Sequence, residues 1–407
     1  MPDLGPGTRG TRSACDGAPL HSPSPMTVTG YGTADPATPL SPVRFERPDL
    51  RPGEVTIEVT HCGVCHSDVH QCHDDWGNTV WPCVPGHEVV GHVVEVGEGV
   101  SAFSEGDVVG VGCMVNSCQT CDACRAGEEQ YCSGPRGATL TYNGPTVPDG
   151  TNTYGGYSTS ITVREEFVLR IPEAIDPAEA APILCAGITT YAPLKQHGIG
   201  EGSKVAIAGI GGLGHMACQL AKALGAHVTA LTTSAGKVED IEALGVDDVI
   251  VMSNVPKLGQ HEGAFDLVLS TIPYPHKVEP YLNLVKHDGV LHFVGNFIPT
   301  TVEFMPLLFK RRAIMGSLIG GVAQTQEVLD FCAEHDIRPE IRTIRMDEVN
   351  EAFERVMNED IRFRHVIDMA SLKEQADGLD ASQLDPPVRG LPEDGGDAPE
   401  EAKKQAA

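Results

Sequence analysis

The chain has 407 residues, 41% of them hydrophobic, with 56 acidic against 29 basic residues and a formal net charge of -27. At roughly 100 to 200 residues per domain, that length predicts two folded domains. An acid excess of this size repels phosphate backbones and anionic lipid, which argues against nucleic acid or a membrane surface as partner and leaves a very soluble or salt-adapted exterior as the reading.

Residues 1–25 are rich in Gly, Pro, Ser and Thr without periodicity, so a disordered extension is expected, with the folded part starting at Met26. Neither a charged segment leading into an apolar core nor a run of about 18 apolar residues occurs, so no export signal and no membrane span are expected. Cys15, Cys62, Cys72, Cys83, Cys113, Cys218 and Cys332 fit a reducing compartment, and the cytoplasm is the expected location. From residue 53 to 110, short β-branched runs at Val55–Val59, Val89–Val96 and Val108–Val111 are separated by glycines, predicting a mostly β domain. Two features there are ambiguous on spacing alone. Cys62 and Cys65 form a C-x-x-C that suits a redox pair or half a zinc ribbon equally, and a lone His87 is more often structural than a ligand.

Cys118, Cys121, Cys124 and Cys132 follow with the spacing C-x2-C-x2-C-x7-C. Four thiolates close a tetrahedral zinc site and leave no open position, so this pattern predicts a structural zinc. A ferredoxin-type cluster run ends in Cys-Pro, whereas Ser133 follows here. A disulfide framework belongs to small secreted chains.

From Lys204 the texture changes to strand, glycine turn, helix, strand: Val205–Ala208, Leu213–Leu224, His227–Leu231. That βαβ unit predicts a doubly wound parallel sheet. Gly209, Gly211, Gly212, Leu213 and Gly214 form G-x-G-x-x-G at the strand-to-helix turn, where a helix N-terminus meets a pyrophosphate. About 20 residues on, NAD enzymes place a carboxylate on the ribose hydroxyls. Thr232, Thr233, Ser234 and Lys237 stand there instead, which suits the 2′-phosphate of NADP, with an ordinary polar loop as the plainer alternative. Further strands are expected at Asp248–Val251, Phe265–Leu269 and Val290–Val294, a helix at Thr325–His335, and a disordered acidic tail over 371–407.

Five stretches taken together, Cys62–Asp68, Pro85–Glu88, the four-cysteine lobe, Cys185–Tyr191 and Gly316–Gly321, resemble the medium-chain zinc alcohol dehydrogenases. Within them the chain looks most like the cinnamyl-alcohol-dehydrogenase-like, NADPH-dependent aldehyde reductases. The resemblance implies an α/β chain: a GroES-like, mostly β catalytic domain over 26–185, a Rossmann nucleotide domain over 186–316, and a return to the catalytic domain over 317–370. It implies a catalytic zinc on Cys65, His87 and Cys185 with its fourth position open, making two zinc ions per chain, and NADP(H) as cofactor. Glu88 resembles the acidic neighbour of that metal, Asp68 the carboxylate that orients His87, Ser67 and His70 the proton relay, and Thr189 the hydroxyl beside the nicotinamide. Trp76 and Trp81 are expected as aromatic walls of the substrate site. The implied reaction interconverts primary alcohols and aldehydes over a broad range, in a homodimer or homotetramer. An NAD-dependent polyol or formaldehyde dehydrogenase and a catalytically idle zinc-binding relative are the competing readings.

Overall fold

A computed structural model describes residues 26–135, 137–143, 153–295, 301–358, 364–376 and 382–383. The expected disordered extension, 1–25, and most of the expected disordered tail, 384–407, lie outside the described residues.

The nucleotide domain is built on six parallel strands. They lie in the order Asp248–Val251, His227–Thr232, Lys204–Ala208, Phe265–Ser270, Val285–Phe293, Ala313–Gly316, so chain order reverses direction on either side of Lys204–Ala208. This is the doubly wound arrangement, whose ligands bind beyond the strand ends at the reversal. Val205 to Ala208 are all buried, as a strand covered by helices on both faces requires. The crossover helix Gly214–Ala223 turns Met216, Ala217, Leu220 and Ala221 inward.

Glu54–Gly63 is the spine of the catalytic domain, pairing antiparallel with Val89–Val96, Ser160–Arg164 and Arg364–Asp368. Val55, Ile57 and Val59 alternate into its core. Pairing with Arg364–Asp368 brings the C-terminal part of the fold beside Cys62 and Gly63, some 300 residues earlier in the chain. Asp122–Arg125 and the single turn Glu129–Tyr131 carry the four-cysteine lobe.

After Gly316, helix Val322–Glu334 packs Val328, Leu329 and Cys332 into an apolar cluster that takes residues from both the catalytic and the nucleotide segments, Leu169 and Leu184 as well as Met216 and Leu220. One expectation needs correction: the segment after residue 370 is not wholly tail, because Ser371 and Leu372 are buried on helix Ala370–Ala376, and Ser382–Gln383 adds a parallel strand to Ser41–Arg47. The leading hairpin, Met26–Gly32 with Ser41–Arg47, had no clear periodicity to announce it.

Candidate active site

Cys65 caps the helix His66–Cys72 where strand Glu54–Gly63 ends. The helix starts there because Asp68, in its first turn, accepts the Cys65 backbone N–H on Oδ2 at 2.9 Å. The other oxygen, Oδ1, accepts the Gly86 N–H at 3.0 Å and the ring N–H of His87 Nδ1 at 3.0 Å, while the Tyr157 hydroxyl donates to Oδ2 at 3.4 Å. Asp68 is fully buried, so its charge is held by these four donors rather than by water. With Nδ1 carrying the proton, His87 keeps its Nε2 lone pair free, which is the tautomer a metal ligand needs.

That Nε2 lies 3.3 Å from Cys185 Sγ, and Cys185 Sγ lies 3.9 Å from Cys65 Sγ. Together with a Glu88 oxygen, these donor atoms all fall within 4.8 Å of one another. Zinc–sulfur bonds of about 2.3 Å set tetrahedrally demand sulfur–sulfur edges of about 3.8 Å, so the spacing fits a zinc ion. Cys185 reaches the cluster from a π-helical turn, Ile183–Gly187, wound between helices Pro177–Pro182 and Ile188–Gln196. The Cys65 thiol is held well below its usual range, first by the hydrogen bond from Cys185 and, against burial, by Arg364 and His87. Thiolate is the form that binds metal. Glu88 pairs through Oε1 with Arg364, and its Oε2 is buried without a protein hydrogen bond. Burial pushes this carboxyl up to about 7, with Arg364 pulling the other way. Two thiolates and an imidazole leave a fourth position of a tetrahedral set, and the Glu88 oxygen is the protein donor within reach of it.

The second cluster is closed. Cys118, Cys121, Cys124 and Cys132 bring their sulfurs within 4.8 Å, with Cys118 and Cys124 3.9 Å apart. Backbone N–H groups converge on them: Cys121 on Cys118 at 3.3 Å, Ser133 on Cys121 at 3.4 Å, Gly134 on Cys132 at 3.4 Å. Donors from Cys124 and Ser133 pull Cys121 down to about 5, and burial pushes Cys124 up to about 11. Such a set fits a tetrahedral zinc on four sulfurs.

A cleft of about 410 Å³ joins the open cluster to the nucleotide domain. Cys65, Ser67, His70, His87 and Cys185 line it, and so do Gly209, Gly211, Gly212 and Leu213, with Thr232, Thr233, Ser234 and Lys237 beyond. Gly209 has φ +86°, and a Cβ on Gly214 would sit 2.0 Å from the Gly209 carbonyl oxygen, so the helix approaches the strand as closely as glycine alone permits. Two family models match, "Alcohol dehydrogenase GroES-like domain" over residues 51–173 and "Zinc-binding dehydrogenase" over 212–334. The chain is 47% identical over 352 residues to "Aldehyde reductase YahK" of Escherichia coli, an alignment covering 85% of this chain and 99% of that one.

The chain belongs to the medium-chain zinc alcohol dehydrogenase family.

Other members of the family bear this out. "NADP-dependent alcohol dehydrogenase C 1" of Mycolicibacterium smegmatis is 48% identical over 348 residues, covering 85% and 99% of the two chains. Among solved structures, a cinnamyl alcohol dehydrogenase of Sorghum bicolor superposes with TM-score 0.82 at 39% identity, covering 85% of this chain and 98% of that one. A Helicobacter pylori counterpart, described as complexed with NADP(H), gives 0.80 at 36%, covering 85% and 99%. The chain is therefore an oxidoreductase of the alcohol and aldehyde class, with the two-domain fold of these dehydrogenases.

Against this family background the expected site residues divide. Ser67, His70, Thr189 and Trp76 line the cleft with the donor set. Asp75 accepts from His70 Nδ1 at 2.7 Å, which leaves Nε2 as the ring's acceptor. Trp76 stacks obliquely on His70 at 5.7 Å. Trp81 is not among the residues lining the cleft and packs instead against the catalytic core, because a half-buried indole serves a core as readily as a wall. The Thr232 hydroxyl accepts the Ser234 N–H at 3.1 Å, so it is engaged in its own turn. Arg364 and Tyr142, which the sequence did not single out, also stand in the cleft wall, together with Cys113 and Ser317–Ile319, which it marked only as a thiol and as part of the Gly316–Gly321 resemblance. No motif surrounds Arg364, and only the pairing of Arg364–Asp368 with Glu54–Gly63 brings it to the site.

Proposed function

We propose that the enzyme interconverts primary alcohols and aldehydes with NADP(H), acting as an aldehyde reductase of broad range. One observation carries the reading: a single cleft holds an open donor set at one end and a glycine-rich turn followed by Thr233, Ser234 and Lys237 at the other. When bound, the zinc ion supplies Lewis acidity toward a carbonyl oxygen and the dinucleotide supplies a hydride. Cys65, His87 and Cys185 hold the metal, Asp68 fixes the His87 ring, and the Gly209–Gly214 turn receives the pyrophosphate at a helix N-terminus. Ser67 holds a proton on Oγ at the metal end of the cleft. His70, its Nδ1 tied to Asp75, presents Nε2, buried and without a hydrogen-bond partner, as the next proton carrier after Ser67.

Cofactor choice rests on Lys237, on the turn Ala235–Lys237 that follows strand His227–Thr232. A charged hydrogen bond to phosphate is worth about 1.5 to 3 kcal/mol, so Lys237→Ala should weaken NADPH by about tenfold to a hundredfold and leave NADH nearly unchanged. The deciding measurement is kcat/KM for both cofactors with a panel of aldehydes. No aldehyde turnover with NADPH removes the reading, and equal use of NADH moves the enzyme to the NAD-dependent polyol or formaldehyde class.

Self-association is part of the same reading. Strand Ala313–Gly316 ends the six-stranded sheet, and beside it Phe304, Leu308 and Phe309 are each more than 70% exposed. A second copy pairing edge to edge covers both the strand's free backbone groups and these side chains. None of the cysteines among the described residues is in a disulfide, which supports a reducing, cytoplasmic setting.

A further inference from the structure

Residues 317–322 follow the edge strand of the six-stranded sheet, and the first three of these, Ser317, Leu318 and Ile319, form part of the cleft wall. Ile319 has φ +40°. A β-branched residue in the left-handed region is a genuine outlier, and such a backbone persists only where its surroundings hold it.

Both sides of Ile319 are held. The Leu318 N–H donates to the Tyr131 hydroxyl oxygen at 3.1 Å, and the Val322 N–H, at the start of helix Val322–Glu334, donates to Glu129 Oε2 at 3.1 Å. Glu129 is buried, and both acceptors sit on the single turn Glu129–Tyr131, between Cys124 and Cys132. The contact is close: a Cβ on Gly321 would lie 1.7 Å from the Gly127 carbonyl oxygen. From the nucleotide domain, His292 Nε2 lies 2.8 Å from Ser317 Oγ, and the other nitrogen of this fully buried ring lies 2.9 Å from His197. Glu129 and Tyr131 are not among the residues that line the cleft, so the reaction itself leaves them without a role.

We propose that Glu129 and Tyr131 are positioning residues for the reaction, clamping residues 317–322 so that Ile319 keeps its left-handed backbone and presents a fixed wall to the bound dinucleotide. The four-cysteine lobe is thereby coupled to cofactor binding rather than serving only its own stability. This rests on the reading that NADP(H) occupies the cleft.

The test uses the full-length, zinc-loaded enzyme and measures the NADPH dissociation constant by fluorescence titration, with zinc content, KM and kcat alongside. Tyr131→Phe keeps the ring and loses the acceptor; Glu129→Ala loses the cap, and Glu129→Gln retains an acceptor oxygen. Losing a hydrogen bond of ordinary worth predicts NADPH binding weakened about threefold to tenfold in Tyr131→Phe and Glu129→Ala. Glu129→Gln should stay within about twofold of wild type, and all three should keep wild-type zinc content and a kcat within about twofold at saturating cofactor. In an Ile319→Gly background, Tyr131→Phe should change the dissociation constant by less than about twofold, because glycine adopts positive φ unaided. The proposal is overturned if NADPH affinity is unchanged in Tyr131→Phe and Glu129→Ala, if the same factor appears in both backgrounds, or if zinc content falls in step with affinity. Failure of the wild type to bind NADPH would instead sink the cofactor reading, and this proposal with it.

Discussion

Asp68→Asn is the most informative single change at the open site, because the carboxylate meets four donors and the amide can satisfy them on one side only. With its nitrogen on the Oδ2 side, the amide confronts the Cys65 N–H at 2.9 Å, while the Tyr157 hydroxyl at 3.4 Å can rotate to accept. With its nitrogen on the Oδ1 side, it confronts both the Gly86 N–H and His87 Nδ1–H, and the ring is driven to the tautomer that occupies Nε2. The first orientation is the cheaper and still loses one charge-assisted hydrogen bond in a fully buried place, about 1.5 to 3 kcal/mol. Outer partners of metal-bound histidines are typically worth about 10- to 100-fold in metal affinity; the amide oxygen still accepts from His87 but without the charge, so the variant should bind its open-site zinc about 10-fold more weakly in competition with a chromophoric chelator. Tyr157→Phe, which removes the longest of the four contacts, should cost at most about 1 kcal/mol and leave zinc affinity nearly intact. Both quantities come from chelator competition and denaturant unfolding on the same preparations. Wild-type zinc affinity in Asp68→Asn would mean that the carboxylate's charge adds nothing at His87 beyond what a neutral amide oxygen supplies, and the account of the site would be wrong.

Ser67→Ala should lower kcat by about 10²- to 10⁴-fold with NADPH affinity preserved, read by single-turnover hydride transfer; unchanged turnover removes the proton role of Ser67. Cys121→Ser should lower zinc content by one ion per chain and destabilise the fold, while Cys65→Ser should also lose one zinc but keep its stability, compared by elemental analysis and thermal unfolding. Burial and the neighbouring His197 push His292 down to about 4 from an ordinary 6.5. Its folded pKa lies below the unfolded one, so its contribution is complete above pH 6.5 and is lost as pH falls toward 4, to the extent of about 3 kcal/mol. His292→Gln should therefore flatten the stability decline between pH 6.5 and 5 in denaturant titrations, and a slope equal to that of wild type would show that the ring is protonated in the folded state.

What could be read from the sequence was whatever is encoded by near neighbours. The glycine turn, the strands on either side of it and the four-cysteine lobe each occupy a short segment whose spacing reflects one local geometry, and the strand Asp248–Val251 was placed to the residue. The open donor set was reachable only through the family resemblance, since Cys65, His87 and Cys185 are separated by long stretches with no period connecting them. Arg364 was invisible for a stronger version of the same reason: its position follows from a strand pairing across 300 residues. The helix at Val322 was expected to begin at Thr325, because its first turn is capped by Glu129 from another part of the fold rather than by a residue of its own. Trp81 shows the converse limit, as an aromatic side chain near a site carries no mark that separates wall from core.

The two clusters differ in what their removal should undo, and the difference follows from where their ligands are rooted. All four sulfurs of the closed site belong to one stretch of fifteen residues, so a metal there would organise a single lobe, which meets the cleft-wall segment at Gly127 and through Glu129 and Tyr131 on the turn that precedes Cys132. The open site draws on three remote elements: a helix cap at Cys65, the loop at His87 held by Asp68, and the π turn at Cys185. That π turn runs directly into helix Ile188–Gln196, which carries Thr189 to the cleft and packs Ile188, Tyr191 and Leu194 into the apolar cluster shared with the nucleotide domain. A ligand set spread in this way contributes little to local folding, because each element is already fixed by its own core. It does make the position of the metal depend on how the two domains meet, which is where the cofactor and the metal must be brought into register.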